Sequence, residues 1–562
     1  MYARGTARIT VAIAVAIAVA DGSVRGQQTA RASVDAAGNE SDGASDRQSI
    51  SADGRWVTFQ SIASNLVAGD ANGFYDVFVR DLTTGTVERI SVDSAGTEAD
   101  GSSGVTSSRA TSADGMVVAF SSLARNLVAG DVNLALDVFV RDRVAGTTEM
   151  VSVDSQGNPG DAQSFDGTVS ADGRFVAFDS LASNLVAGDK NHARDVFVRD
   201  RSTGVTERVS VDNQGYEATA DSLRPSISAD GRFVAFMSFA RNLVQNDFNS
   251  DADVFVRDRL LGTTECVSVD LNGDAGDDFS ESPSLSGDGN QVAFHSNATN
   301  LVAGDTNHWC DVFVRDRAAA TTTRVSVDAA GNEADSFSVR PVISADGRVV
   351  AFESLAANLV PGDTNASVDL FLHALVTGYT ERISVDSNGR QSECSSENVS
   401  LSGDGRTAVF DSSAASLVAA DANDVDDVFV HTTAALPAAW ANYDAGFPGT
   451  YGVPTITSRD LPILGATLTV DVGNSYARPT WGVLLVGSAR ATIPTNRDGV
   501  ILVESTVVVP ITFSYSSDSF VGVLPFDFAL IGTTLNLQAL ENGPGAAKGV
   551  SFTPGLELVL GW

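Results

Sequence analysis

The chain has 562 residues, room for two or three domains with full cores, and carries a formal net charge of −35. Nucleic acid and anionic membrane are poor partners for so acidic a surface, which leaves cations, cationic partners and neutral glycans. Its three cysteines, Cys266, Cys310 and Cys394, are too few and odd in number to form a disulfide framework.

In chain order, Arg4 and Arg8 precede an apolar run from Ile9 to Ala20 that ends in Ala18-Val19-Ala20. A positive start, a short apolar segment and a small-residue cleavage site predict a secretory signal over residues 1–20. No later stretch is long and apolar enough for a membrane helix. The protein is therefore expected outside the cytoplasm: secreted, periplasmic or on the cell surface.

Seven repeats follow. A Ser-x-Asp-Gly turn places its acid at Asp53, Asp114, Asp172, Asp230, Asp288, Asp346 and Asp404, spaced 61 residues once and 58 thereafter. An Asp-Val-Phe-Val run or near variant starts at Asp76, Asp137, Asp195, Asp253, Asp311, Asp369 and Asp427. An x-x-Ser-Val-Asp segment ends at Asp35, Asp93, Asp154, Asp212, Asp270, Asp328 and Asp386. Four short β-rich runs per repeat, such as Pro225 to Ser228, Arg232 to Phe236, Asp253 to Asp258 and Glu265 to Asp270, predict four-stranded antiparallel blades. The chain opens on the third anchor and closes on the second. This order predicts that Arg31 to Asp35 supplies the missing fourth strand of the seventh blade, leaving no open edge. The fold class expected is all-β: a seven-bladed propeller over residues 31–431, closed by an N-terminal strand, then a C-terminal β-sandwich over residues 438–562.

The motif Ser-x-Asp-Gly-Arg-x-Val-Ala-Phe followed by Asp-Val-Phe-Val resembles the WD40-like PD40 repeat of TolB-type propellers, with alanine where that family has proline. The resemblance covers about Arg31 to His431. It implies a propeller, and a family that mixes noncatalytic scaffolds with propellers attached to enzymes. After Pro437 the repeats stop, and β-rich runs such as "ATLTVDVG" and "GLELVLG" alternate with Gly, Pro and Asn turns. The pattern "GFPGTYGVPTI … PTWGVLLVGSA … GVSFTPGLELVLG" resembles a C-terminal module of secreted proteins from environmental bacteria, which implies attachment or sorting at the cell surface.

Blade topology puts the turns after strands one and three on one face of the disc and the longer loops on the other. Long loops in a compact domain are usually functional, so a partner is expected on the long-loop face. That face carries D-x-N-x-x-x-D in every repeat: Asp70, Asn72 and Asp76; Asp131, Asn133 and Asp137; Asp189, Asn191 and Asp195; Asp247, Asn249 and Asp253; Asp305, Asn307 and Asp311; Asp363, Asn365 and Asp369; Asp421, Asn423 and Asp427. Oxygen ligands at positions one, three and seven match the opening of a calcium loop, although the closing bidentate acid is missing and affinity would be weak. The structural reading is that Asp and Asn bond back onto loop amides in Asx-turns. Sevenfold repetition favours the structural reading, since each blade needs the same loop.

Catalytic patterns are thin. The five histidines are scattered, with no H-E-x-x-H, G-x-S-x-G, P-loop or G-x-G-x-x-G pattern, so no catalytic residue and no cofactor beyond weak calcium is expected. The function expected is a noncatalytic, monomeric scaffold that binds a protein or glycan. A carbohydrate-active enzyme, hydrolase or lyase, is the alternative, because acids abound and their separation is not readable from sequence.

Overall fold

The computed structural model describes residues 27–433 apart from 376, 377 and 420, and outside that range residues 9–10 and segments between 439 and 559. Two compact units divide the chain, one of residues 27–433 and one of residues 434–562 with the first 26. No α-helix occurs among the described residues, and none is long and apolar enough to cross a membrane.

Residues 27–433 form a seven-bladed β-propeller of four-stranded antiparallel sheets. Blade one covers residues 45–89, two 103–150, three 164–208, four 222–266, five 280–324, six 338–382, and seven 396–432. Every third strand reads Asp-Val-Phe-Val or close to it, and its first four residues are buried on both faces, as in Asp195–Asp200. The alternation explains why. Val138 and Val140 of blade two pack against Phe178 and Phe197 of blade three in one cluster, so valines face one neighbour and phenylalanines the other. Each blade adds a pair of phenylalanines from strands two and three, such as Phe178 and Phe197 at 5.8 Å between ring centroids. A fully buried Phe contributes about 1.5–3 kcal/mol, so these interblade seams dominate the core.

Strand boundaries differ from the expectation at the third anchor. In blade four the outermost strand is Thr263–Cys266, and the Ser-Val-Asp residues leave the sheet. The serine explains the departure. Ser268 turns its hydroxyl back to Asp253 at 2.7 Å, and Asp270 then folds over the next loop by accepting the amides of Asn272 and Asp274. The same shift applies at the N-terminus, where Gln28–Arg31, and not Arg31 to Asp35, lies antiparallel to Asp427–Thr432 with Arg31 opposite Phe429.

The Ser-x-Asp-Gly turns form a second ring around the axis. Asp53 N–H donates to Ala113 O, Ala113 to Ala171, Ala171 to Ala229, Ala229 to Gly287, Gly287 to Ala345, Asp346 to Gly403, and Gly403 to Ala52. These seven bonds, 2.8 to 3.3 Å long, pass from blade to blade and return to the start. The alanine noted in the sequence now has a reason. Five of the seven donors sit at that position, and proline has no N–H to give. The ring is also tight, since a Cβ on Gly287 would lie 2.8 Å from Ala345 O.

In the second unit, one sheet runs in the order Ala439–Tyr443, Gly555–Val559, Thr534–Asn542, Thr480–Gly487 and Val507–Phe513. A further sheet orders Ile9–Thr10, Ser517–Val523, Thr467–Gly473 and Ile456–Ser458. Apart from Ile9 and Thr10, the expected signal over residues 1–20 lies outside the described residues, as do residues 434–438 between the two units.

Candidate functional site

The axis of the propeller opens on the long-loop face into a chamber of about 710 Å³. It is walled by the first halves of the innermost strands, among them Asp46 to Gln48, Arg224 to Ser226 and Arg340 to Val342. In six blades this strand shifts register by a bulge, as between Leu223 and Ser226. At the bulge, Arg47, Asp166, Arg224, Ser282, Arg340 and Asn398 all adopt φ of 50–56°. Left-handed backbone in non-glycine residues costs of order 1–3 kcal/mol each and clusters at functional sites. Here it aims one side chain from each of these six blades toward one space.

A second variable ring sits beside the first. The position filled by Gln60, Ser121, Asp179, Met237, His295, Glu353 and Asp411 falls at the same register of strand two in every blade. The two rings interlock between blades: Asn398 N–H donates to Glu353 Oε1 at 2.8 Å, and Arg224 N–H to Asp179 Oδ1 at 3.4 Å. Arg340 ion-pairs with Glu353 at 3.2 Å and Glu397 at 3.5 Å, and Arg194 pairs with Asp179.

Burial sets the protonation of these groups. It pushes the Glu353 carboxyl up to about 7, against the opposing pull of Arg340. Burial likewise pushes Asp411 up to about 7, with the charge of Asp46 adding to it. Asp166 and Asp179 are both raised, chiefly by burial; the charge of Asp166 raises Asp179 further, while a hydrogen bond from Asp179 pulls Asp166 the other way. His295 is held neutral, its value lowered to about 3 by burial and by Arg224 and Arg340.

Blade two departs from the pattern. The single 61-residue interval places three extra residues here, and Val105 to Arg109 turn into the axis instead of forming a bulge. Arg109 donates to the Ile343 carbonyl in blade six, its own carbonyl accepts Val169 N–H of blade three at 3.1 Å, and Ser400 of blade seven donates to Ser108 O at 2.7 Å. This segment floors the chamber and separates it from a cavity of about 80 Å³ under the alanine ring.

The mouth is apolar. Ile62, Leu123, Leu181, Phe239 and Leu355 occupy one position just after strand two and are 36–51% exposed. Ser413, at that position in blade seven, lines the chamber itself. Farther out on the same face, Phe74, Val132, Leu134, Phe248 and Trp309 are exposed as well.

The D-x-N-x-x-x-D loops lie on this face, outside the chamber. In each, the Asn carbonyl oxygen accepts the amide two residues on, as Phe74 N–H to Asn72 at 2.8 Å. Its amide nitrogen ties the loop to the next connection, as Asn72 to Ala99 O at 3.1 Å. The final Asp of every loop accepts the hydroxyl of a Ser-Val-Asp serine, from Ser33 on Asp427 through Ser384 on Asp369. In five blades an arginine from the outermost strand lies between the two acids. Arg89 contacts Asp70 at 3.2 Å, Asp76 at 3.4 Å and Glu98 at 2.9 Å. Arg208, Arg324, Arg382 and Arg31 do the same for Asp189 with Asp195, Asp305 with Asp311, Asp363 with Asp369, and Asp421 with Asp427. No three His, Cys, Asp or Glu side chains converge as metal ligands among the described residues.

Sequence reading placed the Asp-Asn-Asp loops on the long-loop face but did not find the chamber residues. One signal was available: in stacked repeats, the columns that fail to repeat are those that line the axis.

No family model matches the chain, and no curated protein matches it. Among solved structures it is similar to a protein assigned as TolB from Agrobacterium tumefaciens, at 15% identity and a TM-score of 0.31, covering 50% of this chain and 80% of that one. It is also similar to KlAtg21, in complex with the coiled coil of AgAtg16, at 11% identity and a TM-score of 0.35, over 65% and 91% of the two chains. The WD40 repeats of RRP9 match at 9% identity and a TM-score of 0.34, over 69% and 94%. The assignment as a propeller rests on the strand pairing of this chain itself.

Proposed function

We propose that the protein is an exported, noncatalytic propeller scaffold that binds a protein or glycan on its long-loop face. In this reading the C-terminal unit is a β-sandwich that attaches it to a surface, and one copy suffices. The observation that carries the proposal is the apolar rim around a charged, floored chamber. Exposed apolar side chains in five blades surround a polar cavity, the arrangement of a binding site with an apolar contact zone and a few orienting charges. A protein segment carrying both apolar and charged residues suits it better than a uniformly polar glycan. Leu123→Glu with Phe239→Glu is expected to abolish capture of the partner from envelope extracts and leave the melting temperature within about 2 °C, as surface changes do. Retained capture by this pair of substitutions overturns the assignment of the face.

A second reading is favoured by one observation: buried carboxyls converge in the chamber with their protons held near neutral pH, as acid–base catalysis on a glycosidic bond requires. Release of reducing ends from a polysaccharide panel, lost in Glu353→Gln or Asp411→Asn, would establish it.

A further inference from the structure

Blades two and four differ from the other five at the Asp-Asn-Asp loop. Where the five carry Arg31, Arg89, Arg208, Arg324 and Arg382, blade two has Met150 and blade four Cys266. The acid or amide that completes the arginine's shell, Glu40, Glu98, Glu217, Glu333 or Gln391, becomes Pro159 and Ala275. The two aspartates are kept. Asp131 with Asp137, and Asp247 with Asp253, therefore face each other without the inner guanidinium.

The consequence is visible at one atom. In four of the arginine blades the Oδ1 of the first Asp takes the guanidinium, at 3.2 Å for Asp70, 3.5 Å for Asp189, 3.4 Å for Asp305 and 3.4 Å for Asp363. The same atom of Asp131 and of Asp247 is buried and has no hydrogen-bond partner among the described residues. Asp247 is only 5% exposed and Asp253 fully buried. A buried carboxylate oxygen without a donor is costly unless a cation or proton meets it. Arg125 and Arg241 appear in the neighbouring loop of these two blades alone, exposed, and act on the first Asp through space. Neither forms an ion pair with these aspartates among the described residues.

We propose that blades two and four each bind a calcium ion in the place where the other blades hold a guanidinium. The two carboxylates give hard oxygen ligands and two negative charges, matched to a divalent cation, and backbone oxygens and water complete the shell. Two side-chain ligands place the affinity in the extracellular range, a Kd of about 10⁻⁴–10⁻³ M. An arginine and a calcium ion become alternative solutions to the same loop, and sevenfold binding is not expected.

Equilibrium dialysis of the full chain against radiolabelled calcium at millimolar concentration tests this. The expected result is two ions per chain, one in Asp247→Asn, none in Asp131→Asn with Asp247→Asn, and still two in Asp305→Asn, where Arg324 already holds the loop. Cys266→Arg with Ala275→Glu rebuilds the arginine arrangement in blade four. It should bind one ion and stay folded, so the proposal does not depend on an aspartate variant surviving. No bound calcium in the parent chain, or a count that these substitutions leave unchanged, overturns it.

Discussion

The two faces of the disc are built from the same repeats and treat them in opposite ways. On the tight-turn face the seven turns are nearly identical, because each must hand a backbone bond to the next across a close backbone contact. On the long-loop face the framework repeats, but the bulge, the strand-two ring and the inner cation change from blade to blade. Repetition marks what every blade needs to stand beside its neighbour. Departure from it marks what the assembled ring does.

The strongest way to break this comparison is to open the ring. Gln28–Arg31 gives blade seven its fourth strand, and Ser33 and Arg31 give it the contacts that other blades take from their own repeat. Deleting residues 27–36 should lower the melting temperature by roughly 10 °C or more. A deletion variant that melts with the parent shows that closure lies elsewhere.

Next comes the alanine ring. Ala171→Pro removes the N–H that reaches Ala229 and should cost about 1–3 kcal/mol in denaturant unfolding, by leaving that carbonyl unpaired. At Ala345 the following residue, Asp346, is the donor, so Ala345→Pro should cost clearly less. Equal costs at both sites would remove the bond ring as the reason for alanine.

A smaller effect sharpens the other face. Glu353 and Asp411 have folded values near 7, above their unfolded range near 4. The folded state therefore holds more protons in that window, and stability falls as pH rises from about 4 to about 7. Asp411→Asn and Glu353→Gln should flatten the decline, raising the melting temperature by a few degrees at pH 7.5 and hardly at all at pH 4. An unchanged slope in both would place the buried charge elsewhere.

How much was legible follows from the same contrast. The number of blades, the turn acids and the Asp-Asn-Asp loops could be read because they recur at fixed intervals. The outermost strand was placed late because Val-Ser-Val alternates like a strand, while its direction is set by Ser268 reaching Asp253, a contact between positions 15 apart. The chamber was hidden for a different reason. Asp179, Glu353 and Asp411 sit in an ordinary strand pattern; the bulge brings Asp166 beside Asp179 within blade three, blade seven brings Asn398 to Glu353 of blade six, and closure of the ring brings Asp46 beside Asp411. The three extra residues of this repeat were visible as a longer interval, but not that Arg109 would reach across to blade six.

The central claim is that the long-loop face binds and the tight-turn face only holds. Both faces display exposed apolar residues, Leu123 and Phe239 on the first, Leu260 and Leu261 on the second. Capture of envelope components by the full chain can be compared between Leu123→Glu with Phe239→Glu and Leu260→Glu with Leu261→Glu. The first pair should lose the captured partner and the second should retain it, both with parental melting curves. Loss with the second pair and retention with the first would contradict the account.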